Sequence, residues 1–171
     1  MALCGSLRAA SSNLALLHAI SLLAPQDVEI SIYGGLADIP PFNPDLDIEP
    51  APSAVAAFRF ELQQSSALVI SSPEYAHGVP GALKNALDWV VASNELSRKP
   101  VAIINLSTIS DHAHASLVEI VSTMDARVIQ AASITLPLRG RSLDASAIAS
   151  DHAFASPLRS AINVLIGSIA A

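Results

Sequence analysis

The chain has 171 residues, 51% of them hydrophobic and 14% charged, and its 9 basic and 15 acidic side chains give a formal charge of −6. That length suits one domain, residues 1–171, with a real core. The acidic balance and the lack of a basic, aromatic-interleaved stripe argue against a nucleic-acid partner. The single Cys4 excludes an intramolecular disulfide, and no apolar run approaches the roughly 18 residues of a membrane span.

In chain order the pattern alternates. "MALC" (Met1 to Cys4) reads as a strand stub, and Leu16, Ile20 and Leu23 recur at helical spacing, predicting a helix from Asn13 to Leu23. "VEISI" (Val28 to Ile32) reads as a second strand. The Pro-rich connection "LADIPPFNPDLDIEPAP" that follows cannot be helical. Ser53 is placed to cap a second helix with Val55, Phe58 and Leu62 inward. "ALVIS" (Ala67 to Ser71) reads as a buried third strand. A third helix follows Pro80-Gly81, with Leu83, Leu87 and Val90 or Val91 inward. "VAIIN" (Val101 to Asn105) is the fourth strand, and the fourth helix carries Leu117, Val121 and Met124. A fifth strand falls within Arg127 to Leu136, and Leu158, Ile162, Leu165 and Ile169 mark a last helix. Five β units alternating with five helices, without repeat or linker, predict an α/β doubly wound parallel sheet covered on both faces.

Ligands of such sheets bind beyond the carboxyl ends of the strands, where the strand order reverses. "GSLRAASSN" (Gly5 to Asn13) leaves the first strand there and opens the first helix, whose amino end attracts anions. Arg8 adds a full charge, Ser6, Ser11 and Ser12 offer hydroxyls, and Asn13 can donate through its amide or cap the helix. Only Gly5 lets the backbone approach closely, which favours one terminal monophosphate over a pyrophosphate. A plain Ser/Asn helix cap beside a surface arginine is the competing reading.

The second informative stretch is "SSPEYAHGVPGALKNALDWV" (Ser71 to Val90), directly after the third strand. Its loop, shaped by Pro73, Gly78, Pro80 and Gly81, can follow a flat heteroaromatic ring and donate to its edge. Together the two stretches resemble the NADPH-dependent FMN reductase family of flavodoxin-like proteins. Gly5, Ser6, Arg8, Ser11 and Asn13 match its first motif. Pro73, Glu74, Tyr75, Pro80, Gly81, Leu83, Lys84, Asn85, Asp88 and Trp89 match its second.

The resemblance implies a five-stranded sheet of order 2-1-3-4-5. It implies FMN, with its phosphate at Ser6, Arg8, Ser11, Ser12 and Asn13 and its ring along Pro73, Glu74 and Tyr75. It also implies a homodimer or homotetramer and electron transfer from NADPH or NADH to a small acceptor: a flavin, quinone, azo compound or metal oxyanion. The cofactor would carry the hydride chemistry, so no catalytic acid, base or nucleophile is nominated.

Three features depart from the family. Ala76 stands where an Asn is common. "LSTISDHAHAS" replaces a glycine-rich turn after the fourth strand, where Ser107 and Thr108 hydroxyls are the substitutes. The first strand has only four residues before Gly5, shorter than the usual 5 to 6 or so, so the native start is expected upstream of Met1. With no basic region leading a long apolar stretch, the chain is expected in the cytoplasm.

Other residues have plainer readings. Asp111, His112 and His114 are spaced poorly for a metal site, His18 is a solvated helix residue and Cys4 a small core residue. Lys84 and Asp88 form a helix-surface pair, and Glu74 can fix its loop by accepting backbone amides. Arg139 and Arg141 are candidates for a second phosphate. Two other functions compete: an FMN electron carrier reduced by a protein partner, and a degenerate interaction module without flavin.

Overall fold

The computed structural model describes residues 1–107, 111–137 and 143–169. Four parallel strands lie side by side in chain order: β1 (Ala2–Cys4), β2 (Leu68–Ser71), β3 (Pro100–Ile103) and β4 (Arg127–Val128). Cys4 pairs with Ser71, Ile70 with Ile103, and Val101 with Val128. The first three strands are buried throughout, as their plain apolar runs require of a sheet covered on both faces.

The helices are α1 (Ser12–Leu23), α2 (Ser53–Gln64), α3 (Gly81–Asp88), α4 (Asp111–Thr123), α5 (Ala145–Ser150) and α6 (His152–Gly167). Alternate strand residues point to opposite faces, which divides the interior in two. Leu3, Leu68, Ile70, Val101 and Ile103 pack with α2, α3 and α4. Ala2, Cys4, Val69 and Ala102 pack with α1, α5 and α6. Fully buried Phe58 and Trp89 anchor the first core, each large apolar side chain worth about 1.5–3 kcal/mol of burial. Among the described residues no helix is long and apolar enough to cross a membrane.

The five-stranded expectation is corrected to four strands. Val28–Ile32 does run along the outer edge of β1, but its pairing there is one parallel bridge, Ala2 with Ile32. Ala2 N donates to Ser31 O at 2.7 Å and Tyr33 N to Ala2 O at 2.9 Å. Val28, Ile30 and Ile32 are half-buried while Glu29 and Ser31 are exposed, the alternation of an edge strand. Only this bridge joins it to β1, a strand of three residues. The fifth strand reduces to β4, a 3₁₀ turn at Gln130–Ala132 and a bridge from Thr135 to Asn105.

Helix boundaries shift as well. Ser11 caps α1, which starts at Ser12, so Asn13 lies inside the helix. Ser53 is the first residue of α2; Pro52 holds the cap position, its carbonyl accepting Ala56 N at 2.9 Å. Val90 is the buried member of its pair at 2% exposure and Val91 the exposed one at 59%. The tail holds two helices because Asp151 closes α5 and caps α6 through Ala153 N. The Pro-rich connection contains no α-helix but two single 3₁₀ turns, the second with Pro44 at its start.

Candidate functional site

β1 and β2 are neighbours, yet between them the chain visits the edge segment on the far side of β1. The strand order therefore reverses between β1 and β2, and a crevice opens at their carboxyl ends. The loops leaving the two strands run in contact. Gly5 N donates to Ser71 O at 2.9 Å, and a Cβ on Gly5 would sit 2.2 Å from Ser72 Oγ.

The first loop is organised by its own hydroxyls. Ser6 is buried, its Oγ accepting Arg8 N at 3.3 Å, which turns the chain so that Arg8 stands exposed. Ser11 Oγ accepts Leu14 N at 3.4 Å, and its carbonyl accepts Ala15 N at 2.9 Å. The amides of Ser12 and Asn13 come one turn too early to have intrahelical acceptors. No acidic residue lies in the first turn, so the positive end of the α1 dipole is not neutralised locally. Asn13 is buried and its Oδ1 accepts Ser71 Oγ at 2.9 Å, leaving the side-chain amide nitrogen as its donor. The structure thus assembles Ser6, Arg8, Ser11, Ser12 and Asn13 around one helix end. Ser11 and Asn13 spend part of their capacity on the fold, whereas exposed Arg8 and half-buried Ser12 are open to solvent.

Ser71 was missed from sequence. It is fully buried, and its hydroxyl reaches both Asn13 Oδ1 and Ile104 O, the latter at 3.1 Å, tying α1 and β3 to β2. The available signal was a hydroxyl closing a run of buried apolar residues, since a buried hydroxyl requires a partner.

In the second loop Tyr75 N donates to Gly78 O at 3.1 Å and Gly78 N to Tyr75 O at 2.9 Å. The two residues between, Ala76 at φ 49° and His77 at φ 58°, are both left-handed, the backbone of a type I′ turn. That conformation favours Gly or Asn, so Ala76 is strained where the family commonly places Asn. The turn leaves Tyr75 exposed at 55%.

Glu74 fastens this loop. Its Oε2 accepts Ala113 N at 2.8 Å, and its Oε1 meets His77 Nδ1 at 3.2 Å. The Ala113 N–H, and to a lesser extent His77, hold the carboxyl below the ordinary carboxylate range, against the opposing effect of its partial desolvation. His77 stacks edge-on against His112 of α4, with ring centroids 4.8 Å apart. Beside them, at the exit of β3, Asn105 is buried and its Oδ1 accepts Ser107 N at 3.0 Å. A side-chain turn thereby stands where the family has a glycine-rich one; Thr108 lies outside the described residues, as do Arg139 and Arg141. Among the described residues no three His, Cys, Asp or Glu side chains converge to hold a metal ion.

Other motif residues work away from the crevice. Asn85 Oδ1 accepts Phe42 N at 2.7 Å, and its Nδ2 donates to Pro40 O at 2.9 Å. Trp89 Nε1 donates to Pro40 O at 2.7 Å, and its ring packs edge-on against Phe42 at 5.1 Å. Arg59 bridges Trp89 O to Asp47, 2.8 Å from its carboxylate. Together they lash the Pro-rich connection to α3, while Lys84 and Asp88 form the expected surface pair at 2.5 Å.

The arrangement presents an anion-binding helix end and, one strand away, a rigid turn with an exposed tyrosine. Comparison with known proteins matches residues 1–138 to the family described as NADPH-dependent FMN reductase. A quinone reductase of Escherichia coli (strain K12) is 38% identical over 104 residues, 59% of this chain and 55% of its own. A 2-hydroxy-1,4-benzoquinone reductase of Burkholderia sp is 37% identical over 106 residues, 60% of this chain and 57% of its own. The chain thus matches little more than half the length of these relatives. The solved structure of the flavoenzyme NAD(P)H:(acceptor) oxidoreductase FerB from Paracoccus denitrificans superposes with a TM-score of 0.77 at 25% identity, covering 99% of this chain and 95% of that one.

Proposed function

Because the chain belongs to the NADPH-dependent FMN reductase family, we propose that it is an oxidoreductase that binds FMN in the crevice between β1 and β2 and reduces a small acceptor, a quinone in the first instance, at the expense of NADPH or NADH. The observation that carries this reading is the contact between two unlike loops at the point where the strand order reverses. One is a hydroxyl- and arginine-bearing helix end, the other a braced turn.

The residues present fit the group. Ser6, Arg8, Ser12, and the amides of Ser12 and Asn13 supply donors for one phosphate dianion, which a protein of charge −6 must compensate locally. Ser11 caps the helix beneath them. Pro73, Glu74 and Tyr75 form the ring side: Pro73 stiffens the exit, Glu74 fixes the loop to α4, and Tyr75 offers its exposed face. When bound, FMN would supply the hydride chemistry, accepting from the nicotinamide and giving to the acceptor. The protein's part is to hold the ring, orient both partners and exclude water.

Exposed Phe42, Leu46 and Ile48 on the Pro-rich connection support a homo-oligomer, since apolar side chains clustered on one loop favour burial against a second copy. The test is anaerobic. Protein reconstituted with FMN should lose its visible flavin absorbance within seconds of NADPH or NADH addition and regain it when a quinone is admitted. Bound flavin that neither nucleotide bleaches would make the protein an electron carrier, and no binding at all would remove the assignment.

A further inference from the structure

A carboxamide offers an anion two unlike ends, since its nitrogen donates and its oxygen only accepts. Asn13, the second residue of α1, therefore serves a phosphate at that helix end only when its nitrogen faces outward. A half-turn of the side-chain amide exchanges the two ends. What fixes it must lie on the inner side.

Val69 packs on the sheet face covered by α1, and Ser71, two residues on at the end of β2, points to the same face. Asn13 Oδ1 lies 2.9 Å from Ser71 Oγ. Among the described residues Asn13 Nδ2 has no protein partner, and it is not closed off from solvent. Ile104 O stands 3.1 Å from the same hydroxyl, which is thus held between two acceptors. One hydrogen bonds fully to only one of them, and the nearer is Asn13 Oδ1. Ser71 is 0% exposed, so water cannot take over either bond. An apolar side chain of similar size would leave the amide unguided. The reversed amide would donate to Ser71 and turn Oδ1, an acceptor, toward a dianion.

We propose that Ser71 is a positioning residue that selects phosphorylated over unphosphorylated flavin: its hydroxyl donates to Asn13 Oδ1 and so keeps the Asn13 amide nitrogen aimed at the α1 amino end. The inference rests on FMN binding in the β1–β2 crevice. Being fully buried, Ser71 acts through Asn13 rather than on the ligand. A defect there should follow the phosphate and leave the seat of the ring unchanged.

The test measures the affinities of FMN and of riboflavin, which lacks the phosphate, for wild type, Ser71→Ala, Asn13→Ala and the double variant. Ser71→Ala should lower the FMN-to-riboflavin affinity ratio roughly 10-fold, with riboflavin binding itself unchanged. Asn13→Ala should lower it as much and the double variant no further, since the two act through one bond. Ser71→Cys, close in size and a weak donor, should show the same loss if Ser71→Ala fails to fold. An unchanged ratio in the Ser71 variants would overturn the proposal, as would additive losses in the double variant or equal losses for both flavins. A ratio raised by Ser71→Ala would mean that the hydroxyl holds the reversed amide, and would overturn it too. Inorganic phosphate separates this inference from the flavin reading. Its addition should shift the nitrogen resonance of the Asn13 side-chain amide in wild type and not in Ser71→Cys. If wild type binds neither flavin, the flavin reading falls and the phosphate titration decides alone. An equal shift in both proteins, or none in wild type, would then overturn the role of Ser71.

Discussion

Glu74 and Ala113 lie 39 residues apart, and the carboxylate of the first accepts the backbone N–H of the second at 2.8 Å. The loop after β2 is thereby fastened to the first turn of α4, so the geometry of the crevice depends on a group that titrates. The folded carboxyl sits below its ordinary range, so its contribution to stability is complete above the unfolded carboxylate pKa and is lost as pH falls through the folded value. The Glu74→Ala variant should melt below wild type at neutral pH, and the gap should close on acidification. Glu74→Gln should fall between wild type and Glu74→Ala at neutral pH, because its amide oxygen still accepts Ala113 N, and its share of stability should not follow this titration. Thermal melts of the flavin-free protein across the acid range read this directly.

Arg8 stands exposed beside the α1 amino end. A charge-assisted bond to a phosphate contributes about 1.5–3 kcal/mol, so Arg8→Ala should weaken FMN roughly 10- to 100-fold. The loss should shrink as salt rises, because the interaction is solvent-exposed and screened. Flavin-fluorescence quenching at two ionic strengths measures both effects. Unchanged affinity and unchanged salt dependence would move the phosphate elsewhere.

Ala76 holds a left-handed backbone at φ 49°. Asn tolerates that region better, so Ala76→Asn should stabilise the protein by about 0.5–1 kcal/mol. Urea denaturation should show a higher midpoint at unchanged slope. A lower midpoint would mean that the turn is held by something other than its own backbone preference.

Asn85 and Trp89 predict losses of stability with only indirect effects on chemistry. Asn85→Ala removes the acceptor of Phe42 N and the donor to Pro40 O, and should cost about 1–3 kcal/mol. Trp89→Phe keeps most of the buried ring but loses the bond to Pro40 O, and should cost about 1–2 kcal/mol. Both should loosen the Pro-rich connection first, visible as faster proteolysis between Leu36 and Pro52.

The strands, the main helices and the two loop motifs were legible because they are written in local currency: apolar period, and Pro or Gly with fixed backbone demands. What was missed depends on partners distant in sequence. Ser11, Ser12 and Asn13 are all good caps; the choice of Ser11 goes with Asn13 being held by Ser71, 58 residues on. Val28–Ile32 has a strand's alternation, but its pairing is a single bridge to Ala2, a contact between residues 30 apart that no local pattern records. The Tyr75–Gly78 turn was hidden because neither left-handed residue is Gly or Asn. Glu74 was read as a loop-fixing acceptor, and the fold supplied the amide.

The seam at Gly5 changes what a glycine count means in this chain. A methyl there would drive into Ser72 Oγ and press on the Ser72 backbone 3.1 Å away, before meeting any ligand. Residue 5 is thus bounded by the loop leaving β2 rather than by the shape of a guest. A larger side chain at that point would wedge the helix mouth and the tyrosine turn apart together, so a lesion on one bank of the crevice would be felt on the other.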